Sequence, residues 1–449
     1  MMDRNVKVSL IALGCSKNLV DAECMVKLLK QDGYEIVEDY TKSQVVVINT
    51  CGFIESAKTE AIDTILQVSD YKAPQGSIQF IVVTGCLSQR YSQEISDSLP
   101  EVDAILGTSH YQDICQVLHS LFEKKDSNPI TLVSKAGGMA HLLPSREVST
   151  KGYAWLKIGE GCRHRCTFCA IPLIRGTFVS RPLEEILQEA RDLAFRGYKE
   201  IILAAQDTTN YGIELYKKRS LPLLLRELSK IQGIELIRVM YGYMDGIEDD
   251  LIQEIKTNPK VAHYLDIPIQ HADDEILSLM HRRETSDLIS SRLEAIRREI
   301  PDIIIRTTVM VGFPGETQEA FDNLMKRLKE WKFDRLGCFM FSPEEGTPAY
   351  DMPNQVDDSV KQLRYEAVYT LQKQISLEAN QNRLNSTVEV TIESISDDGI
   401  FYKGRSFGEA PEVDPEIYVV ATEEELTIGN KYNVKIVDSS DYELTGVTI

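Results

Sequence analysis

No stretch of this chain approaches the roughly 18 consecutive apolar residues of a membrane span. Its first residues, Met1-Met2-Asp3-Arg4-Asn5-Val6-Lys7, lack the layout of a secretory signal. The sequence therefore reads as cytoplasmic, with no membrane partner. It is also poor in positive charge: 49 lysines and arginines face 69 aspartates and glutamates, net −20. That deficit argues against a broad nucleic-acid-binding face and suits a basic partner. Nine cysteines in a long cytosolic chain point to metal or redox chemistry more than to disulfides. The rest is ordinary globular composition, long enough for roughly two to four domains.

Three of the cysteines stand together in Gly159-Glu160-Gly161-Cys162-Arg163-His164-Arg165-Cys166-Thr167-Phe168-Cys169. The CxxxCxxC spacing lets one loop bring Cys162, Cys166 and Cys169 onto one small object. A cubane iron–sulfur cluster usually takes four cysteines. Three would leave one iron open to bind and activate a small molecule. The competing reading is a zinc knuckle, which needs a fourth ligand nearby. The only close candidate is His164, inside the loop, where it would strain a tetrahedral site.

Upstream, residues 6 to about 123 alternate short apolar runs with helical patterns, which predicts a parallel sheet covered on both faces. Cys15, Cys51 and Cys86 each follow a predicted strand, at the carboxyl end, where open α/β sheets place their ligands. In a flavodoxin-like order, 2-1-3-4-5, those three strands are neighbours roughly 4.8 Å apart. Their loops could then converge on one cluster. Gly14, Gly52 and Gly85 beside them allow close backbone approach. Cys24, Cys115 and Cys338 read as core. Residues 125–150, with Asp126-Ser127-Asn128-Pro129 and Gly137-Gly138, read as a linker.

From Tyr153 to about Arg364 six longer βα repeats fit a partial (β/α)6 barrel, with the Cys162 loop at its C-terminal face. Polar residues recur at strand ends, among them Gln206-Asp207 and Gln270-His271; His271 alone reads as a satisfied polar residue. The turn Gly312-Phe313-Pro314-Gly315-Glu316-Thr317 opens a helix and can approach an anionic or ribose-bearing ligand. Five short alternating strands after residue 385 predict a small antiparallel β-barrel. Residues 385–449 hold 14 acidic and 4 basic residues, net −10.

This order of parts resembles the methylthiotransferase family of radical S-adenosylmethionine (radical SAM) enzymes, over nearly the whole chain. Local words match as well: Leu13-Gly14-Cys15-Ser16-Lys17-Asn18, Asn49-Thr50-Cys51-Gly52, Thr84-Gly85-Cys86 and Gly404-Arg405-Ser406. The resemblance implies three domains: a sulfur-donating one over 1–124, a radical SAM one over 151–380 and a TRAM-like barrel over 385–449. It implies SAM and two 4Fe–4S clusters as cofactors. Cys162, Cys166 and Cys169 would hold the SAM-binding cluster, and Cys15, Cys51 and Cys86 the sulfur-donating one. Phe168 would lie beside the adenine, with Gln206, Gly312 and Gly315 as further SAM contacts. A one-electron reductant such as flavodoxin or ferredoxin is implied too.

One branch of the family modifies an adenosine in transfer RNA; the other modifies an aspartate of the twelfth small-subunit ribosomal protein. The stretches 205–212, 264–271 and 410–414 resemble the second branch. The acidic C-terminal segment agrees, since it would repel RNA and attract a basic protein, which makes transfer RNA an unlikely partner. The loop Tyr241-Gly242-Tyr243-Met244 departs from the pattern and is expected to touch neither cluster. The remaining alternative is a non-enzymatic iron–sulfur redox protein.

Overall fold

The computed structural model describes residues 6–123, 128–422 and 424–449. In it the apolar run Val45-Val46-Val47-Ile48 is fully buried, as befits a central strand with helices on both faces. Its sheet holds β1 (Lys7–Ala12), β2 (Glu35–Ile36), β3 (Val45–Thr50), β4 (Phe80–Gly85), β5 (Ala104–Leu106) and β6 (Ile130–Leu132). The order is β2-β1-β3-β4-β5-β6 and every pair is parallel. The first five strands follow the flavodoxin-like order. β6 corrects the reading of residues 125–150 as a linker: Ile130 and Leu132 pack on the cluster built by Tyr111, Val117 and Leu121. Asp126 and Ser127 of the expected turn lie outside the described residues.

Register sets up the site. Ala12 pairs with Asn49, and Asn49 with Thr84. β1, β3 and β4 therefore end level, and their carboxyl-end loops lie side by side.

The second sheet runs β7 (Tyr153–Lys157), β10 (Glu200–Ala204), β11 (Leu236–Val239), β12 (Val261–Asp266), β13 (Ile304–Val311) and β14 (Arg335–Met340), all parallel. Between β7 and β10 lies a ribbon of β8 (Gly159–Glu160) and β9 (Val179–Ser180). β7 shows how alternation divides the layers. Ala154 and Leu156 join the core under the helices, whereas Trp155 faces the other way. There Trp155, Ile202, Met240 and Tyr264 pack against Val20 and Cys24 of α1 (Ser16–Asp32), which belongs to the first sheet's domain.

A closed barrel completes the chain: β15 (Thr387–Ile395), β16 (Tyr402–Arg405), β17 (Ile417–Val420), β18 (Lys431–Ser439) and β19 (Leu444–Thr448). It is not wholly antiparallel as expected, because β17 and β19 pair in parallel. Arg405 docks the barrel on the second sheet through Glu200 at 2.8 Å, and Tyr264 donates to Asp414 at 2.6 Å. Among the described residues no helix is long and apolar enough to cross a membrane.

Candidate active site

The level strand ends deliver Cys15, Cys51 and Cys86 to one place. Cys15 caps α1, and Cys86 begins a short helix (Cys86–Arg90). Asn18 ties the loops together: its Nδ2 donates to the carbonyls of Leu13 and Thr50 at 3.0 and 2.9 Å, and its own carbonyl accepts from Asn49 at 2.8 Å. Gly14 must be glycine here. Its φ is +89°, and a Cβ would stand 2.7 Å from the Cβ of Cys51.

Cys162, Cys166 and Cys169 line a cavity of about 680 Å³ at the carboxyl end of the second sheet, with Arg163, His164 and Arg219 on its walls. Thr167 fixes the loop by donating its N–H to Met280 at 3.1 Å and its hydroxyl to Leu279 at 2.8 Å. Gly161 has φ +77°, and a Cβ would meet the carbonyls of Gly176 and Thr177 at 2.6 Å. His164 is otherwise engaged: it donates to Asp207 at 2.8 Å and stacks on Tyr243 with centroids 3.8 Å apart. Tyr243 in turn lies under the Arg282 guanidinium at 4.4 Å. The loop 241–244, expected to touch neither trio, therefore supports the Cys162 loop through Tyr243. It also reaches the Cys15 loop, because Tyr241 hydrogen-bonds Ser16 at 3.2 Å.

The two trios are neighbours. Cys86 packs against Ala170 and Ile174, which flank the residues immediately after Cys169. Between them lies a buried ionic network. Arg175 donates to Asp21 at 2.7 Å, to Glu160 at 3.0 Å, to Asn18, and to Cys86 Sγ at 3.4 Å. Lys157 binds Asp21 at 2.6 Å and also Glu160. His141 donates to Asp21 at 2.6 Å. Burial pushes Asp21 up, but Lys157, Arg175 and His141 outweigh it and hold the carboxyl well below its usual range. Glu160 is lowered in the same way by Arg175 and Lys157. His141 is lowered by burial, against the pull of Asp21.

The donor set suits a cationic cluster at both trios. Burial, with Cys86 and Cys15 close by, pushes the Cys51 thiol up to about 12. Burial, with Asp207 and Cys166 close by, does the same for Cys162, to about 12. Thiols that resist ionisation together are relieved by iron, which takes the place of their protons. Cys15 differs: burial raises it, yet the charges of Lys17 and Arg175 and two backbone N–H groups outweigh that and leave it low. Among the described residues no three His, Cys, Asp or Glu side chains close on a point small enough for a single metal ion. A cluster whose ligands bind separate irons spreads them wider than one ion does.

The four expected SAM contacts fall as follows. Phe168 is edge-on to Phe313 at 6.4 Å, which brings it beside the Gly312–Thr317 turn. The Gly312 and Gly315 amides donate within the protein, to Glu316 and to Asn354 respectively. Gln206 donates to Glu160 at 2.8 Å, and its Oε1 is buried without a partner. His271, read as satisfied, sits 3.3 Å from Glu316. Cys24 and Cys338 are buried and Cys115 half-buried.

A parallel β/α sheet with three cysteines in one loop at its carboxyl end defines a radical SAM enzyme, and family models agree. Residues 156–328 match the radical SAM superfamily, 7–107 match the uncharacterized protein family UPF0004, and 386–449 match the TRAM domain. The methyltransferase TsrM of Kitasatospora setae shares the fold at TM-score 0.57 and 13% identity, covering 77% of this chain and 74% of that one. The cobalamin-dependent radical enzyme OxsB does so at TM-score 0.54 and 12% identity, covering 82% and 56%. Among curated relatives, a ribosomal protein uS12 methylthiotransferase RimO of Acetivibrio thermocellus is 47% identical over 448 residues, 99% of this chain and 98% of its own. That of Caldicellulosiruptor saccharolyticus is 47% identical over 444 residues, 99% and 100%. The chain belongs to the RimO family of radical SAM methylthiotransferases.

Proposed function

We propose that this enzyme adds a methylthio group to the β-carbon of an aspartate in ribosomal protein uS12, the twelfth small-subunit ribosomal protein, in the cytoplasm. The packing of Cys86 on Ala170 and Ile174 supports the reading, because it brings the loop of one cysteine trio against the segment that follows Cys169 of the other. Cys162, Cys166 and Cys169 would hold the 4Fe–4S cluster that binds SAM, and Cys15, Cys51 and Cys86 would hold the sulfur-donating 4Fe–4S cluster. When bound, these groups supply a one-electron route to a substrate carbon radical, the sulfur that meets it and the methyl group. The chain's own residues place and shield them. Phe168, Gln206, Gly312 and Gly315 contact SAM, and the unpartnered Gln206 Oε1 accepts a ligand N–H. Flavodoxin or ferredoxin delivers the electron. Residues 1–124 together with β6 form the donor domain, 151–380 form the radical domain, and 385–449 receive substrate.

A protein substrate is favoured over transfer RNA by the last barrel. Of its few cations, Arg405 is buried against Glu200 and Glu393, Lys403 faces Glu416, and Lys431 pairs with Glu235 and Glu389. Its outer surface is left acidic, which repels phosphates and attracts a basic protein.

Cys162→Ala should abolish both SAM cleavage and product. Cys51→Ala should retain SAM cleavage to 5′-deoxyadenosine and lose methylthiolated uS12 by mass spectrometry. Product from the Cys51→Ala enzyme refutes the donor assignment. Product on transfer RNA instead of uS12 refutes the substrate.

A further inference from the structure

Lys17 stands out among the buried cations. Every other lysine or arginine buried in the described residues has a carboxylate at ion-pair distance; Lys17, 8% exposed, has none. Its ammonium rests 3.4 Å above the Tyr241 ring. Asp266 draws on it only from beyond contact, because that carboxylate already accepts from Arg306 at 2.9 Å and from the Tyr241 N–H at 3.1 Å.

The Tyr241 ring and the Cys15 sulfur answer its charge, and no carboxylate sits at ion-pair distance. Burying an ammonium costs several kcal/mol, and a cation–π contact returns about 2 kcal/mol at best. Lys17 also sits in the first turn of α1, where the helix dipole disfavours positive charge. Tyr241 is held at φ +60°, uncommon for an aromatic residue, and its hydroxyl is pinned to Ser16 at 3.2 Å. Two elements are thus spent on keeping in place a cation that no carboxylate pairs. That place is two residues from Cys15, where the donor domain meets the carboxyl end of β11.

We infer that Lys17 receives the side-chain carboxylate of the substrate aspartate and so selects an acidic residue for modification; this rests on the function proposed above. The carbon to be modified carries that carboxylate directly and has to reach the sulfur donor at Cys15, Cys51 and Cys86. A cation beside Cys15 with no carboxylate partner fits that demand. The other buried cations near the trios do not: Arg175, Lys157, Arg282 and Arg306 are already paired with Asp21, Glu160, Glu284 and Asp266.

The test uses full-length reconstituted enzyme with SAM and two substrates, purified uS12 and uS12 with the target Asp→Asn. Wild type should bind the aspartate form about ten- to a hundredfold tighter, the value of one charge-assisted contact. Lys17→Met should raise Kd and KM for native uS12 by that factor, keep its iron and sulfide content, and bind both substrates alike. Lys17→Arg should restore most of the preference. Equal affinity of wild type for the two substrates overturns the inference without any variant. Unchanged KM in Lys17→Met overturns it too. So does a shifted donor-cluster reduction potential with KM unmoved, which would make Lys17 the cluster's counter-ion. A wild type that never modifies uS12 removes the proposed function and this inference with it; a Lys17→Met enzyme as good as wild type removes only the inference.

Discussion

Replacing Arg175 by methionine is the sharpest perturbation of the seam between the trios. At neutral pH the network balances two carboxylates, Asp21 and Glu160, against Lys157 and Arg175, because burial keeps His141 uncharged. Methionine fills a similar volume and leaves one negative charge with no counterpart. Stripping one partner from a buried pair costs about 3–5 kcal/mol. For a cooperative unit of about 150–250 residues each kcal/mol lowers the midpoint by about 2–4 °C, so the first calorimetric transition should fall by on the order of 10 °C. Adding Asp21→Asn restores neutrality and should recover part of the loss. Scanning calorimetry of wild type, the single and the double variant checks both. A single variant within about 2 °C of wild type, or a double variant worse than the single, refutes the charge-balance argument.

Other outcomes follow from the same geometry. Gly14→Ala should lower iron content by about one cluster per chain while the cleavage of SAM survives, because the new Cβ collides only with Cys51; iron and sulfide assays check this. Tyr243→Leu removes the stack on His164, worth about 0.5–1.5 kcal/mol, and should slow SAM cleavage several-fold with donor-cluster iron unchanged. Glu409 anchors the last barrel through Arg383: burial raises its carboxyl, but Arg383 and Arg335 outweigh it and depress it to about 2. A depressed acid stabilises the fold above its unfolded value, about 4.5, and that contribution is lost as pH falls toward 2. Acid titration by circular dichroism should show about 3 kcal/mol lost across that window, and Glu409→Gln should flatten it.

Much of the arrangement could be read from the chain because its signals are local. The Cys162 loop has its own spacing. Cys15, Cys51 and Cys86 each carry a neighbouring glycine and follow an apolar run, so strand order alone brings them together. What escaped was built across distance. Arg175 meets Asp21 and Cys86 over gaps no periodicity reveals, and only a lysine ending the apolar strand Tyr153–Lys157 hints at a buried charge network. The stack of Tyr243 on His164 joins two loops and was invisible for the same reason. β6 was missed because three residues beside a turn signal give no pattern to count. The parallel pairing of β17 with β19 depends on barrel closure, not on either strand.

Helix α1 carries Cys15 at one end and, through Val20 and Cys24, fills the inner wall of the radical sheet. The Cys15 loop is thus mounted on the helix that stops up the inner face of the second sheet. Cutting the chain between these halves would strand Trp155, Met240 and Tyr264 in water and uncork the vessel in which a carbon radical must be kept dry.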